Sequence, residues 1–368
     1  MLIVRISLVV ILVFALVIAA YMQLPKFGKY PSGERLKRIK GSPNFRDGAF
    51  VNKSHTPILT EGTSFYTVFK EFFFAKKERI APPDTIPSVK TNLLNLDSTQ
   101  DVLIWFGHSS YFMQIDGKKI LVDPVFCGYA SPFSFNIKGF PGTDIYTSDD
   151  LPEIDYLFIS HDHWDHLDME TVKKLEPKVK QVICGLGTGE HLAYWGYPEH
   201  KIIEQDWDET AELAPGFTVH TVTARHASGR GFRAKRALWA AFVLKTPTMN
   251  MFIGGDGGYD THFAEIGKKF GPFDVAILEN GQYDVKWKYI HFLPGENLQA
   301  AKDLGAKRVF PVHHSKFPLS THPWDEPMIR ITEHNESFGF RLITPMIGEQ
   351  VNLKDSTQVF TRWWEQVK

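Results

Sequence analysis

The stretch Ser160-His161-Asp162-His163-Trp164-Asp165-His166-Leu167-Asp168 crowds three histidines and three aspartates into nine residues. It follows the apolar run Tyr156-Leu157-Phe158-Ile159, short enough to be a buried strand. After it comes Met169 to Leu175, with helical spacing and Asp168 as a fair N-cap. The cluster therefore lies on a loop between a strand end and a helix start. There its side chains can converge on one point, which alternation along a strand would forbid. A chain built around such a loop needs a sheet edge to carry it.

Imidazole and carboxylate are ligands that divalent ions prefer, zinc above all. His161 and His163 are two apart and point the same way in an extended segment. Asp165 and His166 follow the turn and face a second point. The spacing suits two neighbouring metals better than one. The bland alternative is a solvated loop rich in histidine, and the strand-loop-helix context weighs against it.

Further candidates recur where strands end. His226 follows the predicted strand Phe217 to Val222. Asp256 follows Met249 to Ile253, inside Gly254-Gly255-Asp256-Gly257-Gly258, and His313 follows Arg308 to Val312. Singly, Asp256 reads as an ordinary Asp-Gly turn and each histidine as a packed or surface side chain. Jointly with the central cluster they read as one rim of ligands. The glycines are expected to let backbone approach closely and to adopt positive φ. Of the adjacent His313 and His314, only one can point inward from an extended chain. His191, His200, His220 and His262 lack such support and read as structural. The other predicted strands are Val102 to Phe106, Tyr111 to Ile115 and Lys119 to Val122 around the Asp116-Gly117 turn, Gln181 to Cys184, Trp239 to Leu244 and Val275 to Leu278. A helix is predicted from Gly295 to Leu304. Strands in hairpins, then strands alternating with helices, predict an α/β (α+β) architecture of layered sheets with helices outside.

Lys and Arg number 41 against 42 Asp and Glu in 368 residues, so no charge excess suggests nucleic acid. Cys127 and Cys184 form no CxxC pair and read as small buried side chains. Ile6 to Met22 is unbroken by charge, near the roughly 20 residues that a bilayer crossing needs. Residues 1–22 read as an uncleaved membrane anchor, with a cleaved signal peptide as the alternative. Lys26, Lys29, Arg35, Lys37, Arg38 and Lys40 follow it, which under the positive-inside rule puts the body in the cytoplasm. A bacterial export signal would put it outside. Residues 23–95, with aromatic clusters at 65–69 and 72–74, read as a wrap against the domain or the membrane. Residues 96–350 read as the main domain and 351–368 as a tail.

His161, His163, Asp165 and His166, then His226, Asp256 and His313 in that order, resemble the ligand series of the metallo-β-lactamase superfamily. Within it the chain most resembles the N-acyl-phosphatidylethanolamine-hydrolysing phospholipase D group. The matching stretches are Trp105-Phe106-Gly107-His108, Leu121 to Phe126, Ala130-Ser131-Pro132, Gly255 to Tyr259, Ile266 to Asp274 and Tyr289-Ile290-His291, over roughly residues 95 to 350. The resemblance implies an αββα sandwich with two Zn2+ ions at one sheet edge. It implies that His161, His163 and His226 hold the first zinc, that Asp165, His166 and His313 hold the second, and that Asp256 bridges. Asp123 would orient a ligand imidazole, with His108 standing behind the ligands in the same way. His291 would lie near the substrate's phosphate or leaving oxygen, and Asp165 or Asp256 would accept the proton of the attacking water.

The implied activity is that of a zinc-dependent phosphodiesterase of phospholipase D type. It would act on N-acyl-phosphatidylethanolamine or similar phospholipids through a hydroxide shared by two zincs. A metal-dependent lactonase or β-lactamase-like hydrolase is the alternative. A non-catalytic, membrane-anchored metal-binding protein is the third reading, and seven ligands argue against it because a structural zinc closes with four. The sequence departs from the group at Glu279-Asn280-Gly281, in place of a more apolar stretch, and at the short basic segment Ser228 to Arg236. Arg225, Arg230, Arg233, Lys235 and Arg236 are expected either to attract an anionic headgroup or to form a solvated basic loop. The expected partners are a phospholipid or other small-molecule substrate, the membrane through residues 1–22, and a second copy in a homodimer, with no nucleic acid.

Overall fold

The computed structural model describes residues 2–74 and 78–367. Met1, residues 75–77 and Lys368, parts of the segments read as anchor, wrap and tail, lie outside the described residues. Helix α1, Leu2–Tyr21, is apolar but for Arg5 and Ser7 near its start, and its side chains are exposed along nearly its whole length. It is long and apolar enough to cross a membrane. Helix α2, Gly33–Gly41, follows, then a small hairpin of β1, Phe45–Arg46, and β2, Ala49–Phe50. The aromatic clusters at 65–69 and 72–74, within the segment read as a wrap, fall in helix α3, Phe65–Phe74. Its apolar residues bring a helical spacing that the short runs conceal.

Two seven-stranded sheets form the body. The first contains β3 (Val102–Trp105), β4 (Tyr111–Ile115), β5 (Lys118–Val122), β6 (Ile154–Ile159), β7 (Val179–Gly185) and β8 (Ile202–Gln205), in that spatial order. The second contains β9 (Thr210–Ala214), β10 (Phe217–Val222), β11 (Ala241–Lys245), β12 (Asn250–Ile253), β13 (Val275–Glu279), β14 (Arg308–Val312) and β15 (Arg341–Leu342), again in order. A last strand, β16 (Gln350–Asn352), returns to pair antiparallel with β3. The segment read as a tail is thus tied to the sheet through Val351 and Asn352, and Trp363 is buried against Trp105 with centroids 6.2 Å apart. Strands β5 to β8 run parallel, as do β12 to β15.

Period-two alternation explains why the strands of the first sheet read as unbroken apolar runs. On β6, Tyr156 and Phe158 face the second sheet within the main core. Leu157 and Ile159 face the other way, into a second core with Val172 and Leu175 of helix α4, Met169–Leu175, and Leu192 of helix α5, Thr188–Tyr194. A sheet covered on both faces needs apolar residues at every position. Helices α6 (His262–Phe270), α7 (Glu296–Leu304) and α8 (Glu326–Phe338) supply Ile266, Leu298 and Met328 to the main core on the far side. The result is the αββα sandwich of the metallo-β-lactamase fold.

One predicted strand begins late. Trp239 and Ala240 precede β11 and do not pair in its sheet. The Leu238 amide donates to the Leu186 carbonyl at 2.7 Å and the Ala240 amide to the Ser160 carbonyl at 2.9 Å. These residues stitch the second sheet to the first, next to the histidine loop.

His262, at the head of α6, is nearly buried beside Phe263, with ring centroids 4.0 Å apart. Burial lowers its pKa to about 4. The folded value lies below the roughly 6.5 of an unfolded chain, so the unfolded state takes up the proton first. Stability present above pH 6.5 is therefore lost as the pH falls towards 4, on the order of 3 kcal/mol. Urea midpoints at pH 7 and pH 4.5 should fall less in His262→Leu than in the parent chain. Equal acid sensitivity would refute the role given to this imidazole.

Candidate metal centre

The site lies where strands end. β5 delivers Asp123, β6 the loop from Ser160 to Asp168, β10 leads to His226, β12 to Asp256, and β14 to His313. The turn after β3 contributes His108 and Ser109. Both sheets therefore feed one rim of the sandwich.

Asp256 sits at its centre. Its carboxylate lies 3.2 Å from His166 Nε2, 3.2 Å from His313 Nδ1, 3.8 Å from His226 Nε2 and 3.9 Å from His161 Nε2. On one side His161, His163 and His226 face one another, with ring centroids 4.5 to 5.1 Å apart. His161 Nε2 is 2.9 Å from His163 Nδ1, and His226 Nε2 is 3.3 Å from the same atom. On the other side Asp165 lies 3.4 Å from His166 Nε2, and ring atoms of His166 and His313 gather with it around His108. All of these side chains are buried except His163, which is partly so.

Two glycines let Asp256 reach this place. A Cβ on Gly255 would lie 2.8 Å from both the Ala240 carbonyl and the Ser160 Cβ, and one on Gly258 would lie 2.2 Å from the Tyr289 carbonyl. The expected positive φ is not found at Gly254, Gly255, Gly257 or Gly258. Close approach, not left-handed backbone, is what this loop requires. The left-handed conformations fall instead on His108, Asp123 and His313, with φ of 53°, 41° and 67°. Such backbone is costly for a side-chain-bearing residue. Backbone bonds hold it: the His313 amide donates to the His108 carbonyl at 3.0 Å, the His108 amide to the His314 carbonyl at 3.1 Å, and the Asp123 amide to the Phe158 carbonyl at 3.0 Å. His314 turns away and packs at a tilt against Trp105 with centroids 4.8 Å apart.

Carboxylates and carbonyls behind the rim orient the rings. Asp123 accepts from His166 Nδ1 at 2.8 Å and from the Ser160 amide at 2.8 Å. Asp165 accepts from His108 Nε2 at 2.9 Å. His226 Nδ1 donates to the Ile290 carbonyl at 2.9 Å. Ser109, which the sequence did not single out, places Oγ 3.0 Å from His313 Nδ1. Nor did the sequence single out Glu279 as more than a departure. This buried carboxylate accepts from His291 Nδ1 at 2.8 Å and from the Phe292 amide at 2.6 Å. Burial pushes the Glu279 carboxyl up. Burial works hardest against protonated His291, but the Glu279 charge and hydrogen bond, with the charges of Asp256 and Asp165, together lift that imidazole. His291 stacks against His313 with centroids 5.3 Å apart and meets His226 edge-on at 5.1 Å.

The donor set fits divalent metal. Burial, followed by neighbouring His166, His163 and His226, holds the His161 imidazole well below its ordinary range. Burial does the same to His226 and His313. His166 Nε2 is buried and makes no hydrogen bond among the described residues, although carboxylate oxygens of Asp256 and Asp165 stand 3.2 and 3.4 Å away. Uncharged imidazoles aimed at one another around such a nitrogen and a shared carboxylate suit an electrophile between them. His161, His163 and His226 form one cluster and Asp165, His166 and His313, with His108, another, and Asp256 stands within 3.9 Å of ring nitrogens of both.

Within the basic segment after His226 the cations divide: Gly231 to Ala234, Arg233 among them, are exposed, but Arg230 is neither solvated nor free. Arg230 is buried; its guanidinium donates to the Asp162 carbonyl at 2.9 Å, the Leu167 carbonyl at 2.6 Å and the Lys26 carbonyl at 2.9 Å. It lies 4.0 Å from the Trp164 ring centroid. Arg225 is likewise engaged, donating to the Tyr259 carbonyl at 2.9 Å. The histidine loop has many carbonyls and no partner strand, so a buried five-donor group satisfies it better than solvent. His191, read as structural, also frames this loop: its Nε2 lies 3.2 Å from Asp162, which accepts the Gly229 amide at 2.6 Å.

The beta-lactamase superfamily domain matches residues 118–314 of the chain. An uncharacterized protein of Mycobacterium tuberculosis is 34% identical over 332 residues, covering 88% of this chain and 87% of that one. The N-acyl-phosphatidylethanolamine-hydrolyzing phospholipase D 1 of Caenorhabditis elegans is 29% identical over 235 residues, covering 59% of this chain and 64% of its own. Among solved structures, the diiron β-hydroxylase CmlA of Streptomyces venezuelae superposes with a TM-score of 0.53 at 19% identity, over 69% of this chain and 54% of that chain. That likeness is one of fold alone.

Arg230→Met should cost about 2–4 kcal/mol in urea unfolding, because it strips hydrogen bonds from buried carbonyls. A solvated loop cation would change stability by less than about 0.5 kcal/mol, and that outcome would reject the buried clamp.

Proposed function

The chain belongs to the beta-lactamase superfamily as a metal-dependent hydrolase, and on that footing we propose that it is a dizinc phosphodiesterase of phospholipase D type acting on N-acylated or related phospholipids. The observation that carries the proposal is the Glu279–His291 pair, set beside the shared carboxylate Asp256. His161, His163 and His226 would hold one zinc, Asp165, His166 and His313 the other, with Asp256 common to both. Bound there, the ions would supply a water acidified towards neutral pH and positive charge to polarise a phosphoryl oxygen.

The remaining steps belong to side chains. Asp165, fixed by the His108 bond, or Asp256 would take the proton released by the attacking water. His291 holds a proton because Glu279 stabilises the charged ring, and its Nε2 is the atom that can hand that proton to a departing alcohol. A phosphodiester leaves such an alcohol. The lipid part of the reading draws support from two sources: the worm phospholipase is a relative, and α1 would keep the enzyme where phospholipids are.

Purified full-length protein loaded with zinc should release phosphatidic acid from N-acyl-phosphatidylethanolamine, with products identified by mass. His163→Ala and Asp256→Ala should abolish turnover and lower bound metal while far-ultraviolet dichroism stays unchanged. His291→Ala should retain metal and lose about 100-fold or more in kcat. Hydrolysis of a simple lactone with no action on phosphodiesters would overturn the substrate class, and full activity in Asp256→Ala would overturn the site.

A further inference from the structure

Two loops distant in sequence meet the last turn of α1, and each carries an exposed phenylalanine. On the first, Phe133 stacks on Tyr21 with centroids 5.1 Å apart, and Phe135 packs on Phe133 at 5.4 Å. Tyr21 Oη donates to the Pro132 carbonyl at 2.7 Å, and Lys26 Nζ to the same oxygen at 2.5 Å. On the second, a Cβ at Gly231 would fall 2.9 Å from Met22 Cε. Gly231 thus lies against Met22, the residue that follows α1, and Phe232 is the next residue along the chain. Phe135 is 77% and Phe232 78% exposed.

Single exposed apolar residues are ordinary. These two differ because they stand next to the end of an apolar, unburied helix of 20 residues. At 1.5 Å per residue such a helix reaches about 30 Å, the thickness of a bilayer's hydrocarbon core. The boundary between hydrocarbon and headgroups then falls at Tyr21, level with the two loops. Cations mark the same region: Lys26 lies 4.7 Å from the Tyr21 ring centroid and Arg233 5.6 Å from that of Tyr30. Aromatic rings with cations just beyond a membrane helix are the composition of a bilayer interface, and the cations match anionic headgroups.

We propose that Phe135 and Phe232 insert into the lipid interface beside the exit of α1, so that the body rests on the bilayer at these loops as well as at its anchor. The contact reaches the metal centre through few bonds. Arg230, two residues before Phe232, holds the Asp162 and Leu167 carbonyls of the histidine loop. Phe27, just past the anchor, packs edge-on against Trp164 at 5.2 Å. The loop carrying His161, His163, Asp165 and His166 is thus fixed relative to the membrane surface, which suits a substrate drawn from the bilayer. The use of this contact rests on the phospholipid reading above. The contact itself does not.

The test uses full-length protein in phosphatidylcholine vesicles containing phosphatidylglycerol, with Phe135→Trp or Phe232→Trp. The added fluorescence, taken against the parent chain, should shift to the blue and be quenched by lipids brominated near the headgroup. In the same vesicles Phe135→Ser/Phe232→Ser should lower lipid turnover about tenfold, the effect of losing roughly 1.4 kcal/mol of interfacial binding, and leave soluble bis(p-nitrophenyl)phosphate turnover unchanged. Added indoles that emit as in water and escape quenching would overturn the insertion, and so would a blue shift without quenching that disappears on protein dilution, the sign of a second copy. Quenching without lipid turnover would keep the contact and sink the phospholipid reading, whereas lipid turnover without quenching would do the reverse.

Discussion

A carboxylate that cannot reach water has to be met by charge or by hydrogen bonds, and Asp256 is met by four imidazoles. That one requirement organises the site. The rings come from the histidine loop, from the end of β10 and from the end of β14, so both sheets must bring their strand ends to one rim. The group also carries internal tension, because several of the rings are held uncharged by burial while facing one another. Divalent metal relieves both difficulties at once, which is why the buried donor set and its chemistry point the same way.

The surrounding fold is arranged to tolerate that tension. Buried strands on both faces give β6 no freedom of register, since a slip by one residue would exchange Phe158 for Leu157 between two filled cores. The strained residues His108, Asp123 and His313 follow directly from strands or turns that are fixed in this way. Their left-handed backbone is over-determined by amide bonds to neighbouring segments. Behind them Asp123 and the Ile290 carbonyl hold Nδ1 of His166 and of His226, which turns Nε2 of each ring towards Asp256.

Arg230 joins this centre to the N-terminal segment. Its guanidinium spends its donors on the histidine loop and on the Lys26 carbonyl, between two tryptophan rings. The segment that follows α1 is therefore not a slack tether. Arg35 adds to this by meeting Glu190 at 3.0 Å and Glu204 at 2.5 Å from helix α2. The placement of α1 and the placement of the histidine loop are parts of one packing arrangement.

Spacing and residue type were enough for much of this. The density of histidine and aspartate in 160–168, the apolar runs before each candidate ligand, and the period-two logic of the strands identify the layered fold and the rim, because those signals depend only on neighbours in the chain. Asp256 and His313 were legible only in company, as each has an ordinary reading alone. What the chain could not reveal depends on partners far away in sequence. Arg230 looks like one more cation in a basic loop until Asp162, Leu167 and Lys26 close around it. Glu279 looks like a departure from a pattern until His291 arrives from 12 residues on. The strain at His108, Asp123 and His313 has no local signature, since the residues that enforce it sit on other strands. Local sequence sets which groups can bind, but burial and orientation are properties of the assembled sandwich, and those two quantities fix the charge and the reach of each side chain.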